Sequence, residues 1–137
     1  MAFDPVTDYP LGSRRPDLVT TPSGLGVDAV TLDAARDGTL EASDVRATAE
    51  TLGMQAAVAR AAGRAQLADA LDRAAELTHV PDEELLAIYT ALRPGRSSPQ
   101  ELEAWASRLD ELGAPRNATF VREASDAHRA RGLTADG

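Results

Sequence analysis

The chain has 137 residues, enough for one domain with a sizeable core. Because it has no cysteine, it cannot form disulfides, zinc–thiolate sites or iron–sulfur clusters. Its formal net charge at pH 7 is −8, from 22 acidic residues against 14 basic ones that are all arginine, and without a basic stripe we expect neither nucleic acid nor membrane as a partner. The N-terminus lacks the pattern of a secretory signal and no apolar run has membrane-spanning length, so we expect a cytoplasmic protein.

The first segment, residues 1–30, is rich in residues that interrupt helices and strands. Proline recurs along it at short intervals, at Pro5, Pro10, Pro16 and Pro22. A proline prevents helix continuation and cannot donate to a strand ladder, so the segment is either disordered or extended. Because it also carries apolar side chains, we predict an extended, non-helical arm held on a partner, followed by a helical domain over residues 31–137.

Helical patterns begin at Thr31, which can cap a short helix that Gly38 ends. Ser43 is the next candidate cap, and helical spacing of apolar residues predicts a long helical stretch from there to about Thr78. Glycines interrupt this alanine-rich stretch at positions 53 and 63. The second glycine could mark a kink or a close backbone contact, or either could simply be tolerated.

The most apolar segment of the chain lies between residues 81 and 93. Acidic residues open it and arginines close it, which is the charge order that a helix dipole favours. Pro81 suits a first helical turn and Pro94 stops the helix. A helix that is apolar on nearly every side must be covered all round, so we predict burial on most sides, within the fold or by a partner chain.

Two further helices complete the pattern. Ser98, Pro99 and Glu101 form a strong start signal for the first, and Asn117 is the predicted cap of the second. No segment alternates with a period of two residues, so few strands or none are expected. The predicted fold class is therefore all-α, a small helical domain of about four to five helices with the extended N-terminal arm.

Few side chains suggest catalysis or metal binding. His79 and Glu83 are four residues apart, a spacing that could place two metal ligands together on a helix, but Pro81 between them indicates a helix start, so the two need not share a face. His128 follows Asp126 in a near match to a cobalamin-binding motif, but that motif requires a loop after a strand and this segment is predicted to be helical. No nucleophile–base–acid set is recognisable. We therefore predict no catalytic, cofactor-binding or metal-binding residue in this chain.

Arg93 and Arg96 flank a Pro-Gly pair directly after the apolar helix. One interpretation is favourable charge at a helix C-terminus together with surface salt bridges. The other is a clamp for a carboxylate of another chain. The sequence supports both interpretations equally.

Several fragments, in one order and spacing along nearly the whole chain, resemble the small subunit of adenosylcobalamin-dependent propanediol/glycerol dehydratase. They are DYPLGSR at 8–14, TPSG at 21–24, DVR at 44–46, TLGMQA at 51–56, RAAEL at 73–77, PDE at 81–83, LLAIY at 85–89, ALRP at 91–94, RSS at 96–98 and FVRE at 120–123. The resemblance implies a dimer of heterotrimers built from large, medium and small subunits. Some enzymes of the family lie inside a bacterial microcompartment. It implies radical conversion of propane-1,2-diol to propanal, or of glycerol to 3-hydroxypropanal, with adenosylcobalamin held by the other subunits and none bound by this chain.

The resemblance gives the chain a supporting role in assembly and stability of the large-subunit barrel. The expected subunit-interface residues are Tyr9, Leu11, Tyr89, Arg93 and Arg96. A free-standing helical adaptor or regulatory module that binds a protein partner is the alternative, since composition alone fits it equally. An enzyme in its own right is the weakest alternative because candidate catalytic groups are so few.

Overall fold

The computed structural model describes residues 2–135 and contains seven α-helices and no strand in that part of the chain. The predicted all-α fold class is confirmed. The chain divides into two compact units, whose described parts are residues 2–78 and 79–135. The helices are α1 (Leu11–Arg14), α2 (Leu32–Asp37), α3 (Ala49–Ala61), α4 (Ala65–Leu77), α5 (Asp82–Ala91), α6 (Pro99–Glu111) and α7 (Pro115–Ala130).

The N-terminal segment is less extended than its prolines suggested. Residues 2–30 contain the four-residue helix α1 and two 3₁₀ turns, Pro16–Leu18 and Val27–Ala29, so the expectation of a wholly non-helical arm is wrong. Proline excludes a long helix, but it is compatible with single turns and with the first position of a 3₁₀ turn. The division of the chain at residue 30 stays a prediction.

Arg15 organises the start of this segment. Its guanidinium donates to Asp17 from both Nε and Nη2, each at 3.0 Å, and to Asp8 from Nη1 at 3.0 Å. The fork geometry of the arginine suits such a bidentate pair. The hydrogen bonds from Arg15 lower the pKa of Asp17. A single buried arginine thus connects two acidic residues of the segment.

Asp44 connects the N-terminal segment to the next part of the chain. The Ser23 hydroxyl donates to Asp44 Oδ1 at 2.5 Å, and the backbone N–H of Glu41 donates to Oδ2 at 2.9 Å. These bonds stabilise the carboxylate and lower the pKa of Asp44 to about 2. The predicted cap at Ser43 is wrong, because Glu41 precedes a 3₁₀ turn here and Thr48 caps α3 by accepting from the Thr51 N–H at 3.2 Å.

The long helical stretch predicted between residues 43 and 78 is in fact a 3₁₀ turn followed by the helix pair α3 and α4. Gly63 ends α3 with a φ of +76°, a backbone conformation that other residues rarely adopt. The two helices pack closely through alanines, and Leu71 covers the resulting cluster of Ala56, Ala59 and Ala68. Small side chains permit this close approach, which the alanine-rich sequence favours.

The second unit is built around the pairing of α6 with α7. The predicted capping box of α6 is confirmed, since the Glu101 N–H donates to Ser98 Oγ at 3.2 Å and the Ser98 N–H donates to Glu101 Oε2 at 2.7 Å. The largest fully buried side chains are Leu102, Leu109 and Val121. Helix α7 begins at Pro115, two residues before the predicted cap Asn117, because proline already fits its first turn.

None of the helices in residues 2–135 is both long enough and apolar enough to cross a membrane.

Candidate subunit interface

Helix α5 presents an apolar face that is exposed in the described part of the chain. Ile88 and Ala91 are buried, but Leu86 is 67% exposed and Tyr89 is 61% exposed. The two exposed side chains are three residues apart and so lie on one face of the helix. Burial of α5 on most sides within the fold is therefore wrong for this chain, and coverage by a partner is the alternative that the sequence left open.

The acidic start of α5 is partly used within the unit. Arg108 of α6 donates to Glu84 from Nε at 2.8 Å and from Nη2 at 2.9 Å. These hydrogen bonds lower the pKa of Glu84 and raise that of Arg108. The pair fixes α5 against α6 on the side where Glu84 lies. Leu86, two residues further along, is left outside this contact.

A tight turn follows α5 and carries the two predicted arginines at its ends. The Arg96 N–H donates to the Arg93 carbonyl at 3.1 Å, and Gly95 has a φ of +72°. Proline followed by glycine with positive φ is typical of a type II turn. Both arginines are exposed, and neither forms an ion pair with another of residues 2–135.

Three hydrogen bonds hold this turn in place. Ser97 Oγ donates to the Ala91 carbonyl at 2.9 Å and joins the loop to the end of α5. The Gly95 N–H donates to the Leu133 carbonyl at 2.7 Å, and the Ala135 N–H donates to the Ser97 carbonyl at 3.0 Å. Leu133 and Ala135 are thus attached to the loop, and the chain's own hydrogen bonds hold the turn.

The two predicted residues of the N-terminal segment differ in accessibility. Tyr9 is 62% exposed, whereas Leu11 is only 7% exposed. Both line a cavity of about 700 Å³ in the first unit. Its wall is formed by Pro5, Val6, Tyr9, Pro10, Leu11 and Gly12 on one side and by residues of α3 and α4, including Gln55, Val58 and Leu67, on the other. Leu11 therefore contributes to the packing of the chain itself, while Tyr9 is available to a partner.

Neither histidine is among the residues that line the cavity or form the exposed face of α5. His79 is exposed between α4 and α5, and His128 is half-buried within α7, where a helix was predicted. No group of three or more histidine, cysteine, aspartate or glutamate side chains suited to a metal ion occurs in the described part of the chain. Trp105 is half-buried on α6. None of these residues adds a chemical site to the two surfaces.

Sequence reasoning missed several exposed apolar side chains. Besides Tyr9 and Tyr89, the large apolar residues that are exposed include Val6, Leu32, Val45, Leu67, Leu86 and Phe120. Leu86 had a detectable signal, because Leu86 and Tyr89 are three residues apart, which is the spacing of one helix face. Val6 had none, since its exposure depends on how the N-terminal segment folds.

Comparison with known proteins supports the resemblance. The profile of the family "Dehydratase small subunit" matches residues 5–134. The propanediol dehydratase small subunit of Citrobacter freundii is 47% identical over 121 residues, which cover 88% of this chain and 70% of that protein. The propanediol dehydratase small subunit of Salmonella typhimurium is 46% identical over the same shares of both chains. The chain therefore belongs to the dehydratase small-subunit family.

Proposed function

We propose that this chain is the non-catalytic small subunit of an adenosylcobalamin-dependent diol dehydratase. The complex would convert propane-1,2-diol to propanal or glycerol to 3-hydroxypropanal by migration of a hydroxyl group and loss of water. Large and medium subunits would be its partners, in a dimer of heterotrimers in the cytoplasm or in a bacterial microcompartment. The names of the two relatives support the reaction class, and the family supports the place in a multi-subunit enzyme.

The exposed face of α5 carries the proposal of a docked subunit. Leu86 and Tyr89 leave apolar surface in water although Ile88 and Ala91 of the same helix are buried. Full burial of a side chain such as leucine stabilises the buried state by about 1.5–3 kcal/mol relative to leaving the side chain exposed. A partner that covers this face would gain that free energy, and exposed aromatic residues are frequent anchors of protein interfaces. Tyr89, Arg93 and Arg96 are the proposed contact residues here.

The cavity of the first unit does not match a cobalamin site. Its lining contains no histidine, cysteine or carboxylate, and its polar side chains are Tyr9, Gln55 and Arg64. The lining thus offers a metal neither imidazole nor thiolate. As the resemblance to the family implies, we assign adenosylcobalamin, which supplies the radical chemistry when bound, to the other subunits. The role of this chain is to exclude water from the surface that it covers and to support the shape of its partner.

The N-terminal segment is the second proposed contact, through Val6 and Tyr9. Removal of residues 1–30 should weaken assembly, but it would also remove Ser23 from Asp44 and Leu11 from the chain's own packing. The double variant V6S/Y9S avoids this problem because both side chains are exposed. We expect it to lower affinity for the other subunits and to leave the helical content unchanged. Unchanged affinity would remove the N-terminal segment from the interface.

One experiment tests the function itself. The dehydratase is assembled from its subunits with and without this chain, and dehydration of propane-1,2-diol and of glycerol is measured with adenosylcobalamin present. We expect the complex without this chain to be less active or less stable over time. A free-standing adaptor predicts equal activity in both preparations and no larger dehydratase subunits in its own purified complex.

A further inference from the structure

Several arginines of this chain form ion pairs with its own carboxylates. Ion pairs to carboxylates of the same chain are formed by Arg15, Arg36, Arg60, Arg108, Arg122 and Arg129. Arg93 and Arg96 have no such pair among residues 2–135, although the chain has 22 acidic residues. Two cations that lie at the ends of one turn and have no ion pair within the described part of an acidic chain are complementary to an anion from outside.

The turn holds the backbones of the two arginines close together. The Arg96 N–H···O=C Arg93 bond closes a four-residue turn, whose end Cα atoms lie within about 7 Å of each other. Hydrogen bonds from Ser97 and to Leu133 fix the backbone on both sides. Because the backbone is already ordered, binding an anion here costs less conformational entropy than at a flexible loop.

The surroundings of the turn distinguish a protein carboxylate from a free anion. Tyr89 lies three residues after Leu86 on α5, two residues before the helix ends at Ala91, so it continues the exposed apolar surface that begins at Leu86 toward the turn. A small anion would leave that apolar surface in water. A protein surface would cover it and exclude water from the ion pair, which strengthens the electrostatic attraction.

We propose that the turn Arg93–Arg96 binds an aspartate or glutamate side chain of another dehydratase subunit, beside an apolar recess that receives Tyr89. This inference rests on the proposed function and names the partner chemistry for the same surface. Guanidinium groups bind carboxylates through two parallel hydrogen bonds, which gives direction as well as affinity. The partner surface is therefore apolar at its centre and acidic on the side that faces the turn.

The absence of lysine from the sequence permits a direct chemical test. The variants R93K and R96K each introduce the sole lysine amine of this chain, and a zero-length carbodiimide joins an amine to a carboxylate only where the two are in contact. The assembled complex is treated and the joined peptides are identified by mass spectrometry. R129K is the matched control, because Arg129 already pairs within the chain with Asp126.

We expect R93K or R96K to be joined to an aspartate or glutamate of another subunit, and R129K to Asp126 or to no carboxylate outside this chain. Products confined to this chain for both turn variants would overturn the inference. As a second measurement, R93Q/R96Q should weaken the affinity for the other subunits by about tenfold or more, whereas R36Q/R129Q should change it less than threefold. Equal effects of the two double variants would also overturn it.

The two proposals fail in different ways. If the unaltered chain does not assemble with the other dehydratase subunits, the proposed function fails and the inference fails with it. If the chain assembles, but the turn variants give no intersubunit product and R93Q/R96Q binds as tightly as the unaltered chain, only the carboxylate inference fails.

Discussion

The hydroxyl of Ser23 donates a hydrogen bond to the carboxylate of Asp44 across 21 positions of the chain. This bond attaches the N-terminal segment to the turn that precedes α3. The same carboxylate accepts from the Glu41 N–H, so it is almost completely engaged and only 4% of the residue is exposed. The N-terminal segment is thus part of the first unit's own structure, at least from Ser23 onward.

The Ser23–Asp44 contact predicts a specific loss of stability in acid. The pKa of Asp44 is about 2 in the folded chain, against an ordinary value of 3.8. The ionised carboxylate therefore stabilises the fold above about pH 4, and this contribution is lost as the pH falls toward 2. We expect D44N to have a lower urea midpoint than the unaltered chain at pH 7. The difference between the two midpoints should become smaller as the pH is lowered. The exposed Asp28, as D28N, is the control; an identical pH dependence in D44N and D28N would contradict this account.

Replacing Gly63 and Gly53 by alanine should change the free energy of unfolding in opposite directions. Gly63 has a φ of +76°, and a left-handed conformation costs other residues about 1–2 kcal/mol, so G63A should lower the free energy of unfolding by that amount. Gly53 lies within α3 and an added Cβ would meet no atom within 4 Å, so G53A should raise it by about 0.5–1 kcal/mol. Chemical denaturation measures both. Stabilisation by G63A would contradict a left-handed conformation at Gly63.

The packing of α6 on α7 predicts a large effect at Leu109, which is almost fully buried. Its replacement in L109A removes buried methyl groups and leaves a cavity, so the free energy of unfolding should fall by about 3 kcal/mol. L86A removes the same atoms from an exposed position on α5 and should change stability by less than about 0.5 kcal/mol. Similar losses for L86A and L109A would mean that α5 is covered within the chain.

Arg15 should control order in the N-terminal segment. R15Q removes the bonds to Asp8 and Asp17, and we expect faster amide hydrogen exchange in the surrounding segment, with α6 and α7 unaffected. The neighbouring Arg14 is exposed and provides the control variant R14Q. If both variants exchange alike, Arg15 does not hold the segment together.

The elements with strong local signals were predictable from sequence. The Thr31 cap and Gly38 end of α2 and the capping box of α6 follow from side chains within a few residues of each helix end. The separation of α3 from α4 was harder to predict. Alanine continues on both sides of Gly63, so the turn differs little in hydrophobicity from the two helices. The Ser23–Asp44 bond was not predictable, since no local rule joins residues so far apart.

The candidate interface could be predicted only in part. The apolar composition of α5 indicated that something must cover it, but the choice between the fold and a partner depends on where α6 lies. The Pro-Gly pair predicted a turn between Arg93 and Arg96, while the attachment of that turn to Leu133 and Ala135 required the structure. Leu11 was predicted as a contact residue from its apolar side chain, and its burial within the chain became visible only from the fold.

Assembly with larger subunits is the central claim, and the most direct measurement is the composition of the complex that the chain forms. The unaltered chain and the variant L86S/Y89S are each co-expressed with the large and medium dehydratase subunits, and the complexes are separated by size and identified by native mass spectrometry. The account predicts that the unaltered chain is found in one complex with both larger subunits. The variant should be depleted from that complex and should keep its helical content. An unaltered chain found only as a free monomer would contradict the account, and so would a variant incorporated as fully as the unaltered chain.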